Sequence, residues 1–510
     1  MKTFAAIYIG SYEISLKIFE ISAKRGLHVI DHIRHRMELG KDVYANGYVG
    51  YEMADELCRV LKEYAGIMES YRVDAYQAYT GITLKDAQNY MFLLEQIRLR
   101  TKLEVNFLSN SEQRFIGYQA VAGAPDFDDM TKESAAVVDV GGTSLQITLF
   151  LNGHVVTTQH LMLGMMRIKE KLSGVGDIAS HYERQIQELV DKELEVFRAL
   201  YLKEEQDIKY VILMGDYCAS VMNRLQKEND SHKAEAYKFC SYIQKLQGRN
   251  LEQLAEELNL ANENDPLIVP ALIMYRSIVQ ELNAKMVCTP GMDITDGIAY
   301  DYARKHNMVK AGHDFEADVL SASKHLAKRY FGYEPHLGAL QTMSLMIFDA
   351  LKKVHGLGKR ERLLLQTAAI VHDCGKYVSL VNGARCSYQI IMSSEIIGLS
   401  HLEREIVACT VLFNAIPLES YEKLADKLDR KSYLTVTKLA AILRVANALD
   451  RSHKQKFKNV KASIAERSFV ITIETEEDFT LEKDLFNSKA SFFEEVFSLK
   501  PVIKAKKMIV

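Results

Sequence analysis

The chain has no tryptophan and only 7 prolines in 510 residues. So little proline suits a helix-rich protein and leaves no Pro-rich linker. No run of about 18 apolar residues occurs, which predicts no transmembrane helix. The seven cysteines, an odd number, include no C-x-x-C pair. That argues against a disulfide framework or a cysteine zinc site and predicts reduced thiols in a cytoplasmic protein. Excess charge is also missing. A formal net charge of −3 gives no global attraction to nucleic acid or an anionic membrane. A polyanionic ligand would need a local basic groove. The start, MKTFAAIYIG, runs into a strand pattern with an apolar run too short for a signal peptide.

What is present is ordinary globular material, 48% hydrophobic and 26% charged, in a chain long enough for three or four domains. Residues 3–20 read as two strands around a Gly-Ser turn, because Ile14, Leu16 and Ile18 alternate with polar positions. A helix over 52–71, a strand in VDAYQAYT, a helix in KDAQNYMFLLEQIRLRT and a strand in LEVNFLS follow. A further helix opens at NSEQRF, with Ser109 or Asn110 as N-cap. The pattern restarts near residue 134, where AAVVDVGGTSLQITLF is again strand, glycine turn, strand. KYVILMGD ends a later strand in glycine, and 219–262 is charged and helical. From about 310 to about 455 the chain is almost wholly helical, and a strand-and-helix tail closes it.

Glycine turns let backbone N–H groups approach a phosphate that a side chain would block. Two such turns facing each other, IGS and DVGGTS, would clamp a phosphate chain between two halves. The plainer alternative is two unrelated hairpins. The order of the motifs resembles the exopolyphosphatase and guanosine pentaphosphate phosphohydrolase (Ppx/GppA) family, whose catalytic half has the actin-like ATPase fold. AAIYIGSYE stands where that family has A-x-D-x-G-S-N-S, LSNSEQRFIGYQAV where it has I-S-G-x-E-E-A-R, and VVDVGGTSLQ where it has V-x-D-I-G-G-G-S-T-E. LMLGMMRIKEK and MDITDGIAYD match later motifs.

The resemblance implies hydrolysis of a terminal phosphoanhydride, in inorganic polyphosphate or a guanosine pentaphosphate. It implies Glu112 as the residue that orients water and Asp139 as the organiser of a Mg²⁺ and phosphate site. Gly10, Ser11, Gly141, Gly142, Thr143, Ser144 and Lys85 would bind phosphate, and a homodimer is expected. The departures fall on the chemistry. Tyr8 replaces an aspartate, Tyr12 and Glu13 replace a small polar pair, and Gln113 and Gln146 replace glutamates. Gly215-Asp216-Tyr217 puts a carboxylate where phosphate would approach.

The helical half carries LLLQTAAIVHDCGKYVS, which resembles the HD phosphohydrolases. That likeness implies one divalent metal on His336, His372, Asp373 and Asp450. Gly375 and Lys376 complete an H-D-C-G-K. Ala384, Cys386 and Asn414 stand where further histidines are expected, which argues against a second metal. Basic residues nearby, among them Lys359, Arg360, Arg362, Arg451, His453, Lys454 and Lys456, suit either an anionic groove or a solvated face.

The expected architecture is α/β, with two actin-like (ribonuclease H-like) domains over 1–125 and 126–305. An all-α HD-like domain over 306–458 and a small α/β tail over 459–510 follow. The expected activity is exopolyphosphatase-type hydrolysis in the cleft between the actin-like domains. A catalytically weak phosphate-ligand sensor, or a metal-dependent phosphohydrolase in the helical domain, are the alternatives.

Overall fold

The computed structural model describes residues 2–124, 126–172, 179–202, 207–226, 232–260, 265–309 and 312–506. They form two compact units, Met1–Asp314 and Phe315–Val510.

The first unit holds two sheets of one design. β1 (Lys2–Ile9), β2 (Glu13–Ser22), β3 (Gly26–Arg36), β4 (Ala75–Thr80) and β5 (Val105–Phe107) lie in the order β3-β2-β1-β4-β5. β6 (Ser134–Val140), β7 (Leu145–Leu151), β8 (His154–Leu161), β9 (Tyr210–Met214), β10 (Lys233–Glu235) and β11 (Met286–Cys288) lie in the order β10-β11-β9-β6-β7-β8. In each sheet the leading strand pairs antiparallel with its successor and parallel with a strand reached by a crossover. The repeat seen in the sequence is thus a duplicated topology. Helix Tyr51–Ser70 packs Leu57, Val60 and Leu61 against Ile7, Ile14 and Leu16 of the first sheet. Helices Ala179–Tyr201 and Ile268–Glu281 cover the second.

β1 is buried on both faces, so its sequence is a near-continuous apolar run. Ala5 and Ile7 join one core, while Phe4 and Ala6 join another with Ile298, Ala299 and Tyr302. The second contact ties the two halves of the first unit together. Helix Ile294–Lys305, assigned from sequence to the second half, closes over the first sheet, with Phe4 and Tyr302 stacked at 4.1 Å. Gly297 permits the close crossing with helix Asn110–Ala122, since a Cβ there would sit 2.0 Å from the Ile116 carbonyl oxygen.

The second unit begins at Phe315. Helices Glu334–Ala350, Lys359–Val371 and His401–Ala415 pack on Arg430–Leu449, whose Leu439, Ile442 and Leu443 are fully buried, while Phe315–Arg329 packs on Lys359–Val371 and Gly383–Ser393 on His401–Ala415. The tail forms a sheet of β12 (Lys458–Ala465), β13 (Ser468–Glu474) and β14 (Lys500–Lys506), with helix Thr480–Phe497 crossing from β13 to β14. Among the described residues no helix is long and apolar enough to cross a membrane. All seven cysteines are free thiols.

Candidate active site

The two glycine turns close in the same way. Gly10 N–H donates to the Glu13 carbonyl at 2.8 Å, and Gly141 N–H donates to the Ser144 carbonyl at 2.9 Å. Each turn is then held by the segment after its third strand. Gly40 N–H donates to the Ser11 carbonyl at 2.7 Å, and Met166 N–H to the Gly142 carbonyl at 2.8 Å. The turns meet face to face: a Cβ on Gly142 would lie 3.2 Å from both Ser11 Oγ and Met166 Sδ. Gly164 makes the seat of the second turn possible. A Cβ there would fall 2.1 Å from the Thr143 carbonyl carbon and 2.4 Å from the Ser144 nitrogen.

A cavity of about 280 Å³ opens between the turns. Gly10, Ser11, Asp139, Gly141, Gly142, Thr143 and Ser144 all line it, together with Arg34, Arg36, Arg114 and Gln113. Lys85 and Glu112 are not among the lining residues. Lys85 is exposed, its ammonium 4.3 Å above the Phe107 ring. Glu112 closes a capping box on helix Asn110–Ala122: its Oε2 accepts from Ser109 N–H at 2.9 Å and from Ser109 Oγ at 2.6 Å. That cap contributes about 1 kcal/mol to the helix and turns the next two residues, Gln113 and Arg114, onto the cavity wall.

Asp139 is the ionisable centre. Burial pushes its carboxyl up to about 6, against a partial downward pull from the Arg114 guanidinium. Burial, reinforced by the Asp139 charge, pushes the Tyr8 phenol far above its ordinary value, so Tyr8 stays neutral. Gln146 stands directly across from Asp139 in the β6–β7 ladder, so both side chains leave the same face. It is buried, and its Oε1 has no hydrogen-bond partner among the described residues. A carboxylate and an unsatisfied amide oxygen suit a hard cation that takes one or two protein oxygens and completes its shell with water and phosphate.

The sequence reading missed the arginines. Arg34 and Arg36 sit two apart on β3 and so share a face. The R-x-R spacing was the available signal. Arg36 and the phenols of Tyr12 and Tyr217 converge on the buried carboxylate of Asp265, Tyr12 at 3.1 Å, tying the first half to the second. Gly215 adopts φ +126° ahead of helix Asp216–Leu225. The Asp216 side chain, which the sequence placed against an incoming phosphate, lies outside the described part of the structure.

A duplicated mixed sheet with a glycine-turn cleft at its centre defines an α/β protein of the actin-like class. The model of the Ppx/GppA phosphatase family matches residues 17–306 and that of Ppx/GppA phosphatase domain III matches 324–490. The chain belongs to the Ppx/GppA phosphatase family. The chain is similar in fold to a solved Aquifex aeolicus Ppx/GppA family member, with TM-score 0.50 at 17% identity over 60% of this chain and 99% of that one. It is likewise similar to an exopolyphosphatase from Cytophaga hutchinsonii, with TM-score 0.52 at 14% identity over 61% and 100%. At these identities the likeness is one of fold. A bifunctional 3-dehydroquinate synthase/phosphatase of Fusobacterium nucleatum subsp. nucleatum is 26% identical over 137 residues, 26% of this chain and 20% of that protein. The match thus spans about a fifth of that curated relative.

Proposed function

We propose that the cleft hydrolyses the terminal phosphoanhydride of a phosphate chain, inorganic polyphosphate first and guanosine pentaphosphate second, and releases orthophosphate. The observation that carries this reading is the apposition of the two glycine turns around Asp139. Phosphoryl transfer asks for positioning and charge neutralisation more than for covalent chemistry. The hydroxyls of Ser11, Thr143 and Ser144 and the N–H groups of the turns would hold the terminal phosphate. Arg34, Arg36 and Arg114 would face its oxygens, with Lys85 left to the outer reach of a long chain. Asp139 and Gln146 would hold Mg²⁺, which when bound neutralises phosphate oxygens. Glu112 would orient the attacking water, its carboxylate fixed by the cap through Oε2. A homodimer belongs to the same proposal, and light scattering on the purified chain checks it.

The test is phosphate release from long-chain polyphosphate in Mg²⁺, comparing wild type, Glu112→Gln and His372→Ala. Glutamine also completes a capping box. Glu112→Gln should therefore keep the melting temperature while release falls about 10²-fold or more. Wild-type rates in Glu112→Gln would reduce that residue to a helix cap. Loss confined to His372→Ala would move the chemistry to the helical unit. The neutral Tyr8 favours a second reading, a sensor that binds phosphate chains without turning them over. It takes the lead if wild type releases nothing from either substrate yet polyphosphate raises its melting temperature.

A further inference from the structure

The four residues expected from sequence to share a metal come together in the helical unit. His336 Nδ1 lies 2.8 Å from Asp450 Oδ2, and His372 Nε2 lies 3.3 Å from both His336 Nε2 and Asp373 Oδ1. The chain leaves that cluster as a loop over 376–382, and the loop bares apolar side chains. Its ends are pinned. A Cβ on Gly375 would fall 2.1 Å from the Gly383 carbonyl oxygen, Lys376 is tied to Asp373, and Asn382 N–H donates to Ser379 Oγ at 3.0 Å. At the tip Leu380 is 86% and Val381 93% exposed, and Tyr377 and Val378 beside them are exposed as well. Consecutive side chains leave a chain in different directions, so two that are both bare place the tip clear of the protein surface.

A second turn adds to the same surface. Helix Phe315–Arg329 closes with Gly332 N–H donating to the Ala327 carbonyl at 2.9 Å and Phe331 N–H to the Lys328 carbonyl at 3.1 Å. This closure holds Phe331 in the left-handed region, at φ +55°, where glycine is usual. A bulky side chain is strained there, and this one gains little burial in return. Its ring is 80% exposed and stacks on Tyr377 with centroids 5.6 Å apart. Tyr330 packs edge-on to the same tyrosine at 5.8 Å. Two turns thus join into one exposed apolar and aromatic patch, the kind of surface that marks an interaction site.

We propose that this patch docks the helical unit on an anionic membrane surface, with Leu380 and Val381 entering the acyl boundary and Tyr330, Phe331 and Tyr377 lying at the headgroup level. Three features select a bilayer over a protein partner. The tip projects, and a fluid apolar phase closes around a projection on every side, whereas a protein must offer a matching socket. Tyrosine rings, apolar in the body and polar at the end, favour the membrane–water interface. Charge is complementary too. The segments KRYFGYE (328–334) and KYVSLVNGAR (376–385) hold four cations against the single acid Glu334, and Lys328 and Arg385 are exposed on the same turns as the apolar side chains. The chain as a whole, at −3, lacks that bias, so the attraction is local. Attachment through two turns is peripheral. The surface lies within the helical unit and does not rest on the cleft reading.

The chain has no tryptophan, so Val381→Trp installs a single indole at the tip. With phosphatidylcholine vesicles carrying phosphatidylglycerol, its emission should shift to the blue and be quenched by bromine on the acyl chains. Cosedimentation of the full wild-type chain with the same vesicles should fall about tenfold or more in Leu380→Asp, at an unchanged melting temperature. Lys328→Gln combined with Arg385→Gln should weaken binding several-fold at low salt on these vesicles and leave pure phosphatidylcholine alone. Phe331→Gly should weaken binding while raising the melting temperature, because glycine relieves the left-handed backbone. A wild type that does not sediment with vesicles, or an indole emission that vesicles do not move, overturns the proposal. So does a Leu380→Asp chain that sediments as before. If vesicles bind nothing and Leu380→Asp turns a dimer into monomers in analytical ultracentrifugation, the patch is a contact between copies and the membrane proposal falls.

Discussion

Replacing Asp139 with asparagine should cut phosphate release by about 10²–10⁴-fold and yet make the chain more stable above pH 6. The two effects share one cause. Wild-type folding buries a carboxyl whose value rises from 3.8 to about 6. Between those values the folded state binds more protons than the unfolded one, so wild-type stability falls as pH rises. The loss is absent near the lower value and complete once pH exceeds the folded one. Asparagine has no charge to bury. Its advantage should be nil near pH 4 and grow to at most about 2–3 kcal/mol above pH 7. Thermal melts in chelator at both pH values, beside release assays, check it. Mg²⁺ should shrink the gap by stabilising wild type. A variant that is no more stable at high pH would refute the buried-charge account, and one that still releases phosphate would remove Asp139 from the chemistry.

Gly164→Ala should abolish release by displacing a loop it does not belong to. The added methyl would fall 2.1 Å from the Thr143 carbonyl carbon and 2.4 Å from the Gly142 carbonyl oxygen. These are backbone atoms of the phosphate turn and cannot swing aside as a flexible side chain would. The turn must leave its seat, and with it the hydrogen bond from Met166 N–H to Gly142. Overpacking of this kind costs about 1–3 kcal/mol or more. Gly66→Ala is the matched control. Gly66 is exposed inside helix Tyr51–Ser70, with nothing within 4 Å of the would-be Cβ. That change should stabilise by about 0.5–1 kcal/mol and leave release alone. The comparison sinks the loop argument if both variants keep full activity.

The readable parts of this sequence were those encoded by local spacing. Alternation in Ile14, Leu16 and Ile18 marked β2, and Ser109 or Asn110 was expected to cap the helix at NSEQRF, a role the structure gives to Ser109. The two glycine turns were legible because they stop two strands with one grammar. β3 was missed because it is an edge strand with no buried residue in its span, so its polar pattern resembles a loop. With it went Arg34 and Arg36. Asp265 was invisible for another reason. Its partners lie 229 and 253 residues before it and 48 before it, distances at which no periodicity connects them. The return of helix Ile294–Lys305 to the first sheet is the same kind of fact. His453 stood in a basic stretch that suited either a groove or a solvated face, and its ring lies flat on His336.

The neutral Tyr8 has a consequence for how the cleft selects. Three arginines (Arg34, Arg36 and Arg114) face three acids (Glu13, Asp139 and Asp293) along its wall. Arg36 is already paired with Asp265 behind the wall, so the lining carries no surplus of positive charge. An aspartate at position 8 would have tipped it negative and forced every incoming polyanion to bring cations with it. With a phenol there, the wall does not draw a phosphate chain inward at long range. Selection falls to hydrogen bonds that act only within touching distance. On the proposed reading, such a cleft would recognise the last phosphate chiefly by its shape.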